Sequence, residues 1–98
     1  MQKNILDLVE YSQGGIVSKE IYKTDKNNVT LMCMSAGSEM SEHTSTREGI
    51  IYVLEGEGVF TLTDKDISMK AGASILMQEN AIHSLKAIKN TSFILILN

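Results

Sequence analysis

Apolar residues recur along the chain with two different periods. Ile5, Leu6, Leu8 and Val9 fall at helical spacing, Asn4 stands where a cap belongs and Asp7 lies in the first turn. A short helix is therefore expected over residues 4–11, closed by Gly14-Gly15. After that the helical period vanishes. Short runs rich in β-branched and aromatic residues take over: GIVSKEIYK, VTLMCMS, GIIYVL, VFTLT, ISMK, ASILMQ, IHSLKAI and TSFILILN. TDKNN, AGSE, EGEG, DKD, ENA and KN separate most of them, and Gly, Asn and Asp are the residues that tight turns demand. About eight short strands at such spacing predict an all-β barrel or sandwich.

GIIYVL, ASILM and SFILIL are apolar at both alternating sets of positions. One face of such a strand can fill a barrel. The other needs cover from a second layer or another subunit, so a homodimer is expected. The length of 98 residues predicts one domain spanning 1–98. An apolar fraction of 43% and a charged fraction of 21% describe an ordinary globular chain and exclude disorder. The net charge is −3 with no Lys/Arg cluster, so counterion release cannot drive nucleic-acid binding. Cys33 is the one cysteine, which rules out an internal disulfide and a Cys-rich zinc motif, and its apolar run predicts a buried, inert thiol. No apolar run approaches the ~20 residues of a membrane span, so no membrane partner is expected. Asp7 and Glu10 break the N-terminal apolar segment, which argues against a signal peptide and for a cytoplasmic protein.

The two histidines lie in distinctive settings. His43 sits in SEHTSTRE, between Gly37 and the stretch YVLEGEG, and His83 sits in AGASILMQENAIHSLKA. The spacing Gly37-x5-His43-x-Ser45-x3-Gly49-x6-Gly56 and the spacing Gly72-x5-Gln78-x-Asn80-x2-His83-x3-Ala87 resemble the two motifs of the cupin family. Motif one then covers 37–56 and motif two 72–87. The resemblance implies a small antiparallel jelly-roll barrel, the double-stranded β-helix of RmlC-like proteins. In metal-binding cupins, two histidines and a glutamate from motif one join the histidine of motif two around a divalent ion. This chain keeps His43 and His83, but Ser45 and Gly49 stand at the other two positions. Gln78 and Asn80 replace the proline and glycine of motif two.

Positions 43, 45 and 49 can share the inner face, because alternate strand residues point the same way. Two imidazoles alone make a weak site, since a catalytic metal usually has at least three protein ligands. Glu48 would point outward from a regular strand, and a bulge near Arg47 or Gly49 would bring it in. Two functional readings follow. In one, the barrel binds a small molecule through His43, Ser45, Tyr52, Gln78 and His83. In the other, His43, His83 and Glu48 hold zinc, iron, nickel or manganese. The resemblance then implies dioxygenase, isomerase or decarboxylase chemistry on a small polar metabolite. A third reading makes the barrel an assembly unit in which the histidines only plug the interior.

Other features change the picture less. Met32, Met34, Met40, Met69 and Met77 either line a soft cavity or fill the core. Arg47 could clamp a carboxylate with its planar fork, or serve as a loop or subunit-interface cation. EGEG is a turn and not a phosphate loop, because no helix follows it.

Overall fold

The computed structural model describes residues 2–98. Asn4 caps the N-terminal segment as expected, its Oδ1 accepting from the Leu6 amide at 3.1 Å. The helix itself is only a single 3₁₀ turn, Ile5–Leu8. Nine strands follow: β1 (Ile16–Lys23), β2 (Asn28–Met34), β3 (Glu39–His43), β4 (Gly49–Glu55), β5 (Glu57–Leu62), β6 (Lys65–Lys70), β7 (Ser74–Met77), β8 (His83–Ala87) and β9 (Thr91–Leu97). The unexpected strand is β3. Its sequence EMSEH has one apolar residue and no alternation, so only its pairing with β8 makes it a strand.

The strands form two antiparallel sheets, ordered β1-β2-β9-β4-β7 and β3-β8-β5-β6. Together they make a jelly roll whose inner faces meet in one core. Met32, Met34, Ile51, Val53, Phe60, Met69, Ile75, Met77, Leu85, Ala87 and Phe93 fill it, with Met40 packed against its margin. These five methionines are therefore core filler. Among the described residues, no helix is long and apolar enough to cross a membrane.

Polar devices close the end of the barrel away from the histidines. Thr91, buried, sets its hydroxyl between the Glu57 amide at 3.1 Å, the Glu57 carbonyl at 3.0 Å and the Lys89 carbonyl at 2.8 Å. Gly56 must be glycine here. Its φ is +115°, and a Cβ would meet the Asn90 carbonyl and the Thr91 backbone at 2.5 Å.

The five-stranded sheet is apolar on its outer face too. Leu31 and Cys33 point outward from β2 and are fully buried beneath Ile5, Leu8, Val9 and Tyr11 of the N-terminal segment. Lys3 holds that segment down, donating to the Ile21 carbonyl at 2.6 Å and lying over the Tyr22 ring. Lys19 adds an ion pair to Glu10 at 2.9 Å. The chain thus supplies part of the cover that the two-faced strands call for.

Candidate functional site

A β-bulge builds the histidine pair. Met40 stands opposite Leu85, yet His43 stands opposite His83, so β3 spends one more residue than β8 over the same span. Met40 and Leu85 face the core. With regular alternation Glu42 would follow Met40 inward and His43 would point away. The extra residue at Ser41–Glu42 reverses the phase and sets His43 beside His83. The signal in the sequence is faint, being only the polar break in EMSEH.

The two rings meet edge to face with centroids 4.1 Å apart. His83 is 5% exposed and stacks on Phe60 at 5.7 Å, while His43 is exposed. Each ring is held in the same way. His43 Nδ1 lies 2.6 Å from the Ser41 carbonyl, and His83 Nδ1 lies 3.0 Å from the Ala81 carbonyl. A carbonyl only accepts, so Nδ1 carries the proton in both rings and the Nε2 lone pair is left for another partner. Burial pushes the His83 imidazole below its ordinary value. The bond to Ala81 opposes that shift, and a charge on His43 adds to it.

The loops that carry the two motifs are clamped together, the Asn80 amide donating to the Ser45 carbonyl at 2.7 Å. Asn80 has φ +65°, which explains its place where the family motif has glycine. Asn is among the few side chains that tolerate this left-handed region. Ser45 is half-buried, and its hydroxyl accepts from the Arg47 amide at 3.2 Å.

The remaining expected site residues are exposed. Tyr52 is on the outer face of β4, because Ile51 and Val53 on either side of it point into the core. Glu48 and Gln78 are exposed and line an outer depression with Thr46, Arg47, Glu79 and Asn98. The bulge that could have turned Glu48 inward falls on β3 instead. Arg47 is engaged within this chain. Its guanidinium donates to the carbonyls of Asn98 at 2.6 Å, Leu97 at 3.1 Å and Lys26 at 3.2 Å, tying the last strand to the β1–β2 turn.

These placements decide how well a metal fits. Where the family motif has glutamate, Gly49 is buried between Met77 and Leu97. A Cβ there would lie 2.8 Å from Leu97 Cδ2, 3.0 Å from Met77 Cε and 3.3 Å from the Ile96 carbonyl. The room of the lost ligand has been filled with hydrocarbon. Among the described residues, no group of three or more His, Cys, Asp or Glu side chains is arranged to hold an ion. Two imidazoles without a carboxylate do not fit a tightly held divalent metal.

Comparison with known proteins agrees with the fold. Residues 30–97 match the family model described as "Cupin domain". An uncharacterized protein of Methanocaldococcus jannaschii is 30% identical over 76 residues, covering 76% of this chain and 61% of its own length. The chain therefore spans about three-fifths of that curated relative. A cupin 2 conserved barrel domain protein from Leptotrichia buccalis superposes with a TM-score of 0.89 at 29% identity, over 97% of this chain and 46% of that one. An RmlC-like cupin from Desulfovibrio desulfuricans gives 0.88 at 23% identity, over 99% and 94%.

Proposed function

This chain belongs to the cupin family, and we propose that it binds a small polar molecule through His43 and His83. The observation that carries this reading is the paired imidazole geometry. Both Nδ1 protons are committed to backbone carbonyls, so two adjacent rings offer Nε2 as an acceptor. The complementary ligand carries hydrogen-bond donors, such as the hydroxyl or amine groups of a small metabolite. His43 is exposed enough to meet it, and the buried His83 behind it is held neutral.

The Nδ1-to-carbonyl bond also resembles the orientation that metal-ligating histidines receive. The metal reading, which lacks a third ligand, is the rival, and the test separates the two. Protein purified without a His tag or chelator is assayed for metal beside a His43→Ala/His83→Ala double variant. It is then screened by thermal shift with polyols, amines and hydroxy acids, since a ligand that binds the folded state raises Tm. The binding reading expects little metal and a stabilising ligand whose effect His43→Ala removes. Near-stoichiometric metal in the wild type and none in the double variant would overturn it.

A further inference from the structure

The tip of the β5–β6 hairpin lies at the rim of the histidine pair, and its backbone is strained. His43 stands opposite His83, and His83 stands opposite Leu62, so the three form one row across β3, β8 and β5. Thr63 is the next residue. Its amide donates to the Ile82 carbonyl at 2.8 Å, which ties it beside His83. Leu62 pairs with Lys65, so the hairpin closes on the two residues Thr63 and Asp64. Such a loop calls for a positive φ at its first central position, where glycine is at home. Thr63 takes that position with φ +56°. A β-branched side chain in the left-handed region is a genuine outlier and lowers stability. Asp64, a residue type that tolerates the region better, stands one place too late. We propose that Thr63 determines the specificity of the histidine site by contacting the far end of a ligand that has a hydrogen-bonding group at each end.

This inference rests on the histidine pair as the binding site, and three observations carry it further. First, the turn itself has no need of threonine. Glycine would close it without strain, and Thr63 is exposed, so its side chain gains little from packing. Strain that the fold does not require gathers where a ligand is held. Second, the rim fixes a length. Adjacent strands lie about 4.8 Å apart, so β3 and β5, on either side of β8, are separated by about 10 Å. His43 and Thr63 are the exposed residues at the two ends of that span, with the buried His83 between them. A ligand whose donor meets Nε2 of His43 reaches Thr63 only if it is about as long. Third, the rim near Thr63 is apolar, formed by the half-buried Leu62 and by Ile82, which is 49% exposed. An aliphatic spacer between two polar ends matches that surface, while the threonine hydroxyl can both donate to and accept from the second end.

Calorimetric titration of the full chain with three amines tests the proposal. Ethanolamine has both polar ends but is short, hexylamine has the spacer and one polar end, and aminohexanol has an amine and a hydroxyl at the two ends of a six-carbon chain. The wild type should bind aminohexanol at least fivefold more tightly than either of the others. Thr63→Gly should remove that preference and, with the strain relieved, raise Tm by roughly 2–8 °C. Thr63→Ser keeps the hydroxyl and should keep the preference. A Tm that falls in Thr63→Gly would assign the side chain a packing role and overturn the proposal. Equal affinities for the three amines in the wild type, or a preference that survives Thr63→Gly, would overturn it too, and would leave the histidine reading standing where His43→Ala abolishes binding. Binding that is indifferent to His43→Ala, or no binding of any of the three, would overturn that reading and this inference with it.

Discussion

Replacing Gly49 by alanine tests whether the space of the lost glutamate is truly filled. Two effects of opposite sign compete. Alanine narrows the unfolded ensemble and removes about 0.5–1 kcal/mol of the entropy cost that glycine brings to a strand. Against this, the new Cβ would sit 2.8 Å from Leu97 Cδ2 and 3.0 Å from Met77 Cε. Those are ends of flexible side chains and can move, but the Ile96 carbonyl at 3.3 Å belongs to the paired neighbouring strand and yields less. Overpacking a filled core costs about 1–3 kcal/mol, so crowding wins. A net loss of about 1 kcal/mol is expected, which lowers Tm by about 4–8 °C in a chain of this size. Urea and thermal unfolding followed by circular dichroism would measure it. In a Leu97→Ala background the nearest contact is gone, and the same substitution should become neutral or slightly stabilising, a coupling of at least ~0.5 kcal/mol. Gly49→Glu should cost more than Gly49→Ala and should add no metal affinity. A Gly49→Ala protein more stable than wild type, or a Gly49→Glu protein that gains tight zinc binding without losing stability, would refute the reasoning.

Three further outcomes are expected. His83 resists protonation in the fold because it is buried, so below its ordinary value of 6.5 the unfolded chain binds more protons than the folded one. Its contribution is therefore flat above that pH and destabilising as pH falls below it, and the urea midpoint should drop between neutral and mildly acidic buffer less steeply in His83→Phe than in wild type. Thr91→Val keeps the shape but strips the Glu57 amide of its partner, which should cost about 1–3 kcal/mol, whereas Thr91→Ser keeps the hydroxyl and should cost less. Asn80→Ala should lose about 1–2 kcal/mol because φ is +65° there, while Asn80→Gly should be close to neutral in a denaturation series.

The strand pattern, the turns and the two spaced histidines were legible in the amino-acid order because each is a local property. Alternation along β4 or β9 follows from the period of a strand, Asn4 caps through its own side chain, and the two motifs already resembled those of the family whose model matches residues 30–97. The buried thiol of Cys33 was also readable, since an apolar run seldom lies outside a fold. What the order of residues did not reveal depends on a partner strand. β3 exists only because β8 pairs with it, and its bulge is visible only as a mismatch between the two. Tyr52, Gln78 and Glu48 were expected near the histidines. Strand alternation turned Tyr52 outward, and loop geometry carried the other two to an outer depression. Arg47 became a strap for the last strand because three carbonyls from distant segments converge on it. The replacement of glutamate by glycine was plain in the sequence, but whether it left a hole was not. Packing decided that, since Met77 and Leu97 come from other strands and meet at Gly49 only once the barrel has closed.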